Sequence, residues 1–343
     1  MRTIAIFLFA CMLVGISAAE PVKVIFDTDM YTDFDDAGAL ACLHALADVG
    51  ECEILATVAN TRDCMSVAMC EIINSYYGRP DIPVGCARNG GKCGASATHI
   101  KRYGATVEKY AKWVKHRNSS DAPDAVETYR RVLVAQPDKS VVVCSVGFLN
   151  NLRYLLESMP DDISPMDGKA LVAKKVKLWV AMACKYPDGK EYNSKTDPES
   201  SRIALENWPT SIVFSDYDYG KDCFAGRAVA EFGGAGNPVA DVFRAGLPSR
   251  AAIRKDPARH LRGGHGMGGR AAWDETAVLA AVRGIDPYFN AERGTYRMVG
   301  TDGANEWAPD SEGGPHVRIT EKMPKSEVAR VIDGLMTHLP GRP

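Results

Sequence analysis

The sequence predicts a single α/β domain whose mostly parallel, Rossmann-like central sheet is flanked by helices. Apolar runs of strand length alternate with helical periodicity along most of the 343 residues. Such alternation is typical of parallel sheets covered on both faces. A dense group of aspartates directly follows the first apolar run, and open α/β sheets bind ligands at the carboxyl ends of their strands. Because no repeat or low-complexity linker divides the chain, we expect one domain over residues 20–343.

The individual elements follow from apolar patterning and from the residues that interrupt it. Short apolar runs predict strands at 22–26, 53–58, 82–85, 140–145, 176–182 and 210–214. Amphipathic stretches predict helices at 37–47, 65–77, 122–135, 150–157 and 198–207, and a last helix that ends at Pro340. Asp121 and Ser326 are the predicted N-caps of the third and the last of these. Two basic, glycine-containing segments, 88–120 and 246–272, break the rhythm and predict lids over a site or plain surface loops.

The first 19 residues have the pattern of a secretory signal peptide. Arg2 precedes an apolar stretch at 4–16, and Ser17-Ala18-Ala19 supplies the small residues found before a cleavage site. We therefore expect a secreted or periplasmic protein, and the apolar stretch is too short to span a membrane. The net charge of −2 gives no field that favours nucleic acid or an anionic membrane as a partner.

Nine cysteines follow this segment, so a monomer has at least one unpaired thiol. The absence of a C-x-x-C motif argues against a zinc ribbon or a thioredoxin-like site. Cys64 and Cys70, and likewise Cys86 and Cys93, are close enough in the chain to form disulfides in an oxidising compartment. The sequence does not decide which of these pairs forms.

The aspartate cluster is the strongest sign of chemistry. Five carboxylates fall within ten positions: Asp27, Asp29, Asp33, Asp35 and Asp36. Carboxylates this close raise one another's pKa, and a bound cation removes the conflict. Oxygen ligands alone favour a hard ion, Ca²⁺ or Mg²⁺. An EF-hand is excluded because the sixth position from Asp27 is Thr32 rather than Gly and the twelfth is Gly38 rather than Glu. A solvated acidic turn is the alternative, and Asp27 is expected to brace the loop through backbone amides.

Further segments extend this pattern over about residues 22–282. Asp27-Thr-Asp29 is followed by Asp35-Asp36-Ala-Gly-Ala-Leu40, and then by LATVAN at 55–60, YGRPDIPVG at 77–85 and SVGFLNNL at 145–152. Glu191-Tyr-Asn193, Asp197-Pro-Glu-Ser-Ser201 and Trp273-Asp274 complete the set. In this order the segments resemble the nucleoside hydrolase family, the inosine–uridine-preferring type in the broad sense. The longer aspartate turn is similar to a divergent branch of that family.

The resemblance implies a nucleoside hydrolase-like fold and Ca²⁺-dependent cleavage of the N-glycosidic bond of ribonucleosides, giving ribose and free base. Asp29 would be the general base that deprotonates a metal-held water. The protein ligands of Ca²⁺ would be three side chains and one backbone carbonyl: Asp29, Asp36, Asp274 and Val146. Substrate contacts, mostly to ribose hydroxyls, would come from Asp35, Asn60, Met182, Glu191, Asn193, Trp273 and Asp274. Family members are often homodimers or homotetramers, but no interface is legible in the sequence.

Trp273 departs from the family pattern, in which a His before the metal-binding Asp helps to protonate the leaving base. Trp has no titratable proton at neutral pH. Three explanations are open: a lid histidine such as His99, His260 or His265 is the acid; Trp273 stacks on the base while water protonates it; or the substrate is a different riboside. Ala183-Cys184 also replaces the usual Gly-Gly.

Two other functions stay open at this point. A Ca²⁺-dependent sugar- or nucleoside-binding protein on the same fold would retain the metal ligands and lose the acid. A haloacid-dehalogenase-like phosphohydrolase is the second alternative, because Phe26-Asp-Thr-Asp29 is similar to the opening of that family. That chemistry needs a later Lys and a second acidic pair, and no such pair follows Lys174-Lys175.

Overall fold

The computed structural model describes residues 20–62, 64–91, 97–310 and 312–341. The strands are β1 (Val22–Thr28), β2 (Cys52–Ala59), β3 (Val84–Cys86), β4 (Val141–Ser145), β5 (Val176–Ala181), β6 (Asp188–Lys190), β7 (Ser211–Phe214), β8 (Phe224–Gly226), β9 (His265–Gly266), β10 (Gly269–Ala271), β11 (Phe289–Val299), β12 (Ala304–Pro309) and β13 (His316–Glu321). The helices are α1 (Asp35–Asp48), α2 (Ser66–Tyr76), α3 (Ala97–Lys109), α4 (Ala125–Val134), α5 (Asn150–Leu156), α6 (Gly168–Lys175), α7 (Tyr192–Thr196), α8 (Pro198–Asn207), α9 (Tyr217–Gly220), α10 (Arg227–Phe232), α11 (Pro238–Gly246), α12 (Arg250–Lys255), α13 (Pro257–Arg262), α14 (Trp273–Arg283) and α15 (Lys325–Met336).

The central sheet confirms the predicted fold class. Its strands run in the order β3-β2-β1-β4-β5-β7-β13-β11-β12-β6. The pairings from β3 through to β13 are parallel, and those of β11, β12 and β6 are antiparallel. A second, smaller sheet has the order β8-β10-β9. The sequence predicted neither the short antiparallel edge strand β6 nor strands β11 to β13, which follow the last predicted strand.

The strand order reverses at β1, and this reversal determines where the sheet can bind a ligand. From β1 the chain builds β2 and β3 on one side, and β4 and β5 on the other. The segments leaving β1 and β4 therefore diverge at the carboxyl edge of the sheet and open a crevice, where doubly wound sheets bind ligands. The Val146 backbone nitrogen donates to the Asp27 carbonyl over 2.7 Å, so the ends of β1 and β4 stay in contact.

Two apolar layers cover the faces of the sheet. Val24 and Phe26 of β1 point into one layer, and Ile25 points into the other, as the alternation of a strand requires. The first layer contains the apolar faces of α1, α14 and α15, and the second is built around the buried Trp179 and helices α4, α5 and α8. Burial on both faces explains why the parallel strands read as nearly continuous apolar runs.

Both predicted helix caps are wrong. Helix α4 is capped by Asp124, whose side chain accepts from the Glu127 backbone nitrogen over 2.9 Å, whereas Asp121 ends a preceding 3₁₀ turn. Pro123 accounts for the shift because it disfavours helical geometry at the residue before it. Helix α15 begins at Lys325 with Pro324 in the cap position, so Ser326 lies inside the helix.

The described parts of the two basic segments contain helices and strands. Segment 88–120 contains α3, and segment 246–272 contains α12, α13, β9 and β10.

Cys70 is a buried free thiol, so the Cys64–Cys70 disulfide is not formed. The Cys86–Cys93 pairing and the predicted signal peptide involve positions outside the described residues. In the described ranges, no helix is both long enough and apolar enough to cross a membrane.

Candidate active site

A cavity of about 350 Å³ opens at the carboxyl edge of the parallel strands. Its volume is in the usual range of small-molecule sites. Nine of the residues predicted for the site line it: Asp29, Asp35, Asp36, Val146, Met182, Glu191, Asn193, Trp273 and Asp274. Five further residues complete the wall: Thr32, Asp33, Tyr192, Tyr217 and Arg270. Segments more than 200 positions apart in the chain therefore meet in one cavity.

The loop after β1 is held by its own short side chains. Thr28 Oγ1 accepts from the Met30 backbone nitrogen over 2.9 Å and donates to Asp36 Oδ1. Asp33 Oδ1 accepts from the backbone nitrogen of Asp35 at the start of α1 over 3.2 Å. These contacts place Asp35 and Asp36 in the first turn of α1, where the helix dipole favours negative charge.

Asp27 lies behind the cavity and braces the loop. It is fully buried and accepts from Asn60 Nδ2 over 2.7 Å, from the Tyr129 hydroxyl over 2.9 Å and from Asn151 Nδ2 over 3.0 Å. Burial raises its pKa to about 6, although these three donors act in the opposite direction. The brace uses side-chain donors where the sequence analysis expected backbone amides.

Asn60 is the predicted site residue that does not line the cavity. Its amide nitrogen is bound to Asp27, and its Oδ1 atom is buried with no hydrogen-bond partner in the described part of the chain. Gly147 packs closely over it, since a Cβ at Gly147 would lie 2.5 Å from Asn60 Nδ2 and 2.4 Å from the Asp29 backbone nitrogen. Asn60 therefore supports the cavity floor from behind.

Carboxylates at the cavity repel one another in a buried setting. Burial raises the pKa of Asp29, Asp35 and Asp274 well above the usual range, and neighbouring aspartates raise it further. Burial and the adjacent Asp33 raise the pKa of Asp36 to about 7. Arg270 is the one cationic side chain among the described lining residues. The cavity therefore holds more acidic groups than its own cation can neutralise.

Asp33 differs from its neighbours because it contacts that cation. Arg270 Nη2 donates to Asp33 Oδ2, and Arg270 Nε lies 3.6 Å from Asp35 Oδ1. Burial disfavours the charged form of Asp33, but the guanidinium and backbone donors prevail and lower its pKa below the usual range. Asp33 is thus a partner of Arg270 and the N-terminal brace of α1.

The donor set fits a hard cation, although the side chains do not converge on one point. In the described residues, no group of three or more His, Cys, Asp or Glu side chains has the geometry of a formed metal centre. Asp29 and Asp36 each use one carboxylate oxygen to accept from a threonine hydroxyl, which leaves the other oxygen for a ligand. The Val146 carbonyl accepts from Asn193 Nδ2 over 3.0 Å and retains a second lone pair. Together with Asp274, these oxygens are of the type that Ca²⁺ prefers.

The segment after β5 contributes Met182, Glu191, Tyr192 and Asn193 to the cavity wall. Glu191 caps α7 by accepting from the backbone nitrogens of Asn193 and Ser194 over 2.8 and 2.9 Å. Asn193 Nδ2 in turn donates to the Met182 carbonyl over 3.0 Å. Burial raises the pKa of Glu191 despite its backbone donors. Glu191 and Asn193 are therefore buried and held in a fixed orientation.

The aromatic part of the wall is a stacked pair. Trp273 and Tyr217 lie with ring centroids 5.4 Å apart and planes 22° apart, and Trp273 Nε1 donates to the Tyr217 carbonyl over 3.0 Å. The Arg270 guanidinium lies 4.9 Å from the Trp273 ring centroid. Because the indole nitrogen is already bound, Trp273 can offer a substrate only its ring.

Comparisons with known proteins give matches by structure but none by sequence. No protein-family model matches the sequence, and no curated protein matches it either. Solved structures do match. The inosine-uridine preferring nucleoside hydrolase of Bacillus anthracis has a TM-score of 0.64 at 13% identity, covering 92% of this chain and 98% of that one. The plant nucleoside hydrolase PpNRh1 has a TM-score of 0.65 at 19% identity, covering 92% of this chain and 99% of that one.

The chain has the nucleoside hydrolase fold. The type III effector protein XopQ, in a structure with adenosine diphosphate ribose, shares it with a TM-score of 0.65 at 15% identity over 94% of both chains. At these identities the likeness establishes the fold, and the reaction has to be argued from the site.

Within this nucleoside hydrolase fold, the histidine explanation for the missing acid finds no support. His260 and His265 do not line the cavity, and the side chain of His99 lies outside the described part of the chain. His265 instead stacks on Phe34 with centroids 5.9 Å apart. Burial and the neighbouring Arg270 lower the pKa of His265 to about 4. An acid supplied by His99 stays a prediction, as do the stacking and different-riboside explanations.

Sequence reasoning missed several residues of the wall. Tyr217 reaches the cavity because Asp216 caps α9 by accepting from the Tyr219 backbone nitrogen over 3.0 Å. No motif signals that short helix. Arg270 lies in a segment predicted as a lid or a surface loop, three positions before the Trp273-Asp274 segment, so a position near the cavity could have been inferred for it. Thr32 and Tyr192 stand between predicted site residues and carried no signal of their own.

Proposed function

We propose that this protein is a Ca²⁺-dependent hydrolase that cleaves the N-glycosidic bond of ribonucleosides, or of a related N-riboside, to give ribose and free base. The observation that carries the proposal is the meeting of nine predicted residues in one cavity of a nucleoside hydrolase fold. The names of the neighbouring structures support the reaction class.

Asp29, Asp36 and Asp274, with the Val146 carbonyl, would hold the cation. When bound, Ca²⁺ lowers the pKa of a ligated water and accepts a sugar diol among its ~6–8 oxygen ligands. Asp29 is the residue proposed to take the proton from the attacking water, because it is buried near Asp36 and Asp274, the other two proposed side-chain ligands. A base held at a fixed distance from its proton donor typically contributes a ~10²–10⁴-fold acceleration.

The remaining acids are suited to the sugar. Cleavage of an N-glycosidic bond passes through an oxocarbenium-like state, and buried carboxylates stabilise its positive charge. Asp35 and Glu191 both line the cavity, and we propose that they stabilise this charge while binding ribose hydroxyls. The Tyr217–Trp273 pair offers a flat surface to the leaving base. Secretion through segment 1–19 is part of the proposal, and the oligomeric state stays a prediction.

A second candidate is a binding protein on the same fold that does not turn its ligand over. It is favoured by one observation: in the described residues no histidine lines the cavity, so the family's acid has no counterpart there. Both candidates require the cation and the ribose contacts. They differ only in whether a riboside is hydrolysed.

Hydrolysis of a riboside by the wild type separates the two candidates, and replacement of Asp29 then tests the proposed base. We expect Asp29→Asn to lower kcat for inosine by ~10²–10⁴-fold with KM changed by at most about threefold, because the amide retains the shape but cannot take a proton. Kinetic assay of ribose release measures both constants. Asp138→Asn, an exposed aspartate paired with Lys175, is the matched control and should match wild type. Unchanged kcat in Asp29→Asn would remove Asp29 as the base.

A further inference from the structure

Arg270 places a permanent positive charge in a cavity that is proposed to bind a cation. Its side chain is 12% exposed and lines the cavity together with the carboxylates. Guanidinium groups stay protonated in proteins, so this charge is always present. A charge of this sign repels calcium unless a partner neutralises it, and the contacts of the side chain therefore decide what it does for the site.

This guanidinium contacts oxygen atoms of the chain through all three of its nitrogens. Nη2 donates to Asp33 Oδ2, Nη1 donates to the Gly263 carbonyl over 2.7 Å, and Nε lies 3.6 Å from Asp35 Oδ1. The ring centroids of Phe34 and Trp273 lie 5.4 and 4.9 Å from its central carbon. The orientation of the guanidinium is therefore fixed by the protein itself, without a substrate.

Asp33 connects this guanidinium to the start of α1. Its Oδ2 atom accepts from Arg270, and its Oδ1 atom accepts from the backbone nitrogens of Phe34 and Asp35, the latter over 3.2 Å. The Tyr103 hydroxyl donates to the Asp33 carbonyl. Asp33 is therefore held by β10, by α3 and by the first turn of α1 at the same time.

The ion pair joins the two chain segments that carry the proposed side-chain ligands of calcium. Asp29 and Asp36 belong to the loop after β1 and to the first turn of α1, whereas Asp274 lies in the first turn of α14, four positions after Arg270. Residues that support metal ligands from behind typically change metal affinity ~10–100-fold when they are replaced. The pair of Arg270 with Asp33 is such a support, because it connects the loop to the strand that leads into α14.

We propose that Arg270 is a positioning residue that raises the affinity of the site for calcium, and this takes the ion and its ligands from the function proposed above. Its pair with Asp33 holds the loop that carries two of the ligands close to α14, so that less has to be ordered when the ion binds. The pair has no net charge, and its loss removes the arrangement rather than an attractive field. A role of Arg270 as charge alone predicts the opposite, because loss of a nearby cation favours calcium.

Calorimetric titration of calcium into four proteins separates these roles. The proteins are wild type, Arg270→Gln, Asp33→Asn and the double variant, each shown by circular dichroism to be folded in chelator. We expect both single variants to bind calcium at least about tenfold more weakly, and the double variant to be about as weak as either. Arg131→Gln, which removes the same charge from the exposed face of α4, should bind calcium as wild type does.

A role as charge alone gives a different pattern of affinities. Arg270→Gln would then bind calcium more tightly, and the double variant, whose net charge equals that of wild type, would bind it as wild type does. Either result would overturn the inference. If Arg270→Gln does not fold, Arg270→Lys decides, since Lys keeps the charge and lacks the planar fork. Weaker calcium binding by Arg270→Lys would support the positioning role, and unchanged binding would overturn it.

The outcomes also distinguish this inference from the proposed function. Unchanged calcium binding by Arg270→Gln would overturn the inference, while ribose release by wild type would still support the hydrolase. Weaker calcium binding by the variant, with no hydrolysis of any riboside by wild type, would support the positioning role and overturn the hydrolase. A wild type that binds no calcium would overturn both.

Discussion

At the scale of the residue, Asp36 shows why a cation fits this site. It lies in the first turn of α1, where the helix dipole favours a charged carboxylate, yet it is buried and adjacent to other aspartates. Burial and the neighbouring Asp33 prevail and raise the pKa of Asp36 to about 7. Near neutral pH and without a cation, this carboxyl group is therefore only partly ionised. A divalent ion would reverse this balance by favouring the charged form of every carboxylate around it.

Removal of the Asp36 carboxylate should abolish the stabilisation of the fold by calcium. Wild-type protein in calcium at ~100 times the dissociation constant should gain ~2.7 kcal/mol in its free energy of unfolding over protein in chelator. Asp36→Ala should show no such gain, because a metal ligand is lost. Thermal unfolding with calcium and with chelator measures the difference, and Asp138→Ala, an exposed aspartate, should behave as wild type. An equal gain in Asp36→Ala would place the ion elsewhere.

At the scale of the element, a buried ion pair connects the antiparallel strands to the cavity wall. Arg318 of β13 donates from Nε to Asp216 Oδ2 over 2.9 Å, and the Tyr296 hydroxyl of β11 donates to the same oxygen over 2.8 Å. Asp216 is the cap of α9, whose first residue is Tyr217. The strands that the sequence did not reveal therefore hold the aromatic wall in place.

Breaking this pair from one side should be costly. Arg318→Met should lower the free energy of unfolding by ~3–5 kcal/mol, because Asp216 would remain buried without its cation. Denaturant unfolding measures the change. Arg131→Met on the surface should change it by less than ~0.5 kcal/mol. If Arg318→Met is as stable as Arg131→Met, the pair does not support the fold.

Helix α15 carries a group that should make stability depend on pH. Asp333 Oδ1 accepts from the Gly226 backbone nitrogen over 2.7 Å, and burial raises the pKa of Asp333 from 3.8 to about 6. Because the folded-state pKa is the higher one, its contribution to stability is complete below pH 3.8 and is lost as the pH rises through about 6.

Replacement of Asp333 by Asn should remove this loss. The amide oxygen still accepts from Gly226, so Asp333→Asn should exceed wild type in free energy of unfolding at pH 8 by ~1–3 kcal/mol. At pH 4 the two proteins should differ much less. Denaturant unfolding at both values tests this, and a difference that does not grow with pH would contradict the assigned pKa.

At the scale of the whole molecule, the sequence predicts the parallel half of the fold and the floor of the site. The parallel strands can be predicted from the sequence because burial on both faces makes them continuous apolar runs, as in Val141–Ser145. The acidic loop is legible because it follows such a strand directly. The strands and the acidic loop are both recognised from residues that are neighbours in the sequence.

What the sequence could not reveal depends on contacts between distant segments. Burial does not alternate regularly along the whole of β11 or β13, so a pattern of period two does not reveal these two strands. Arg270 and Tyr217 reach the cavity through the ion pair with Asp33 and the cap at Asp216. Asn60 directly follows β2, at the end of the LATVAN segment. Its hydrogen bond to Asp27 nevertheless keeps it behind the residues that line the cavity.

The most direct test of the calcium-dependent riboside hydrolase is ribose release as a function of free calcium. Purified protein would be incubated with a panel of ribonucleosides at calcium concentrations set by a chelating buffer. We expect release of ribose that saturates with calcium and stops in excess chelator. Release at the same rate in excess chelator would contradict the metal assignment. No release from any riboside by protein that binds calcium would contradict the hydrolase and favour the binding protein.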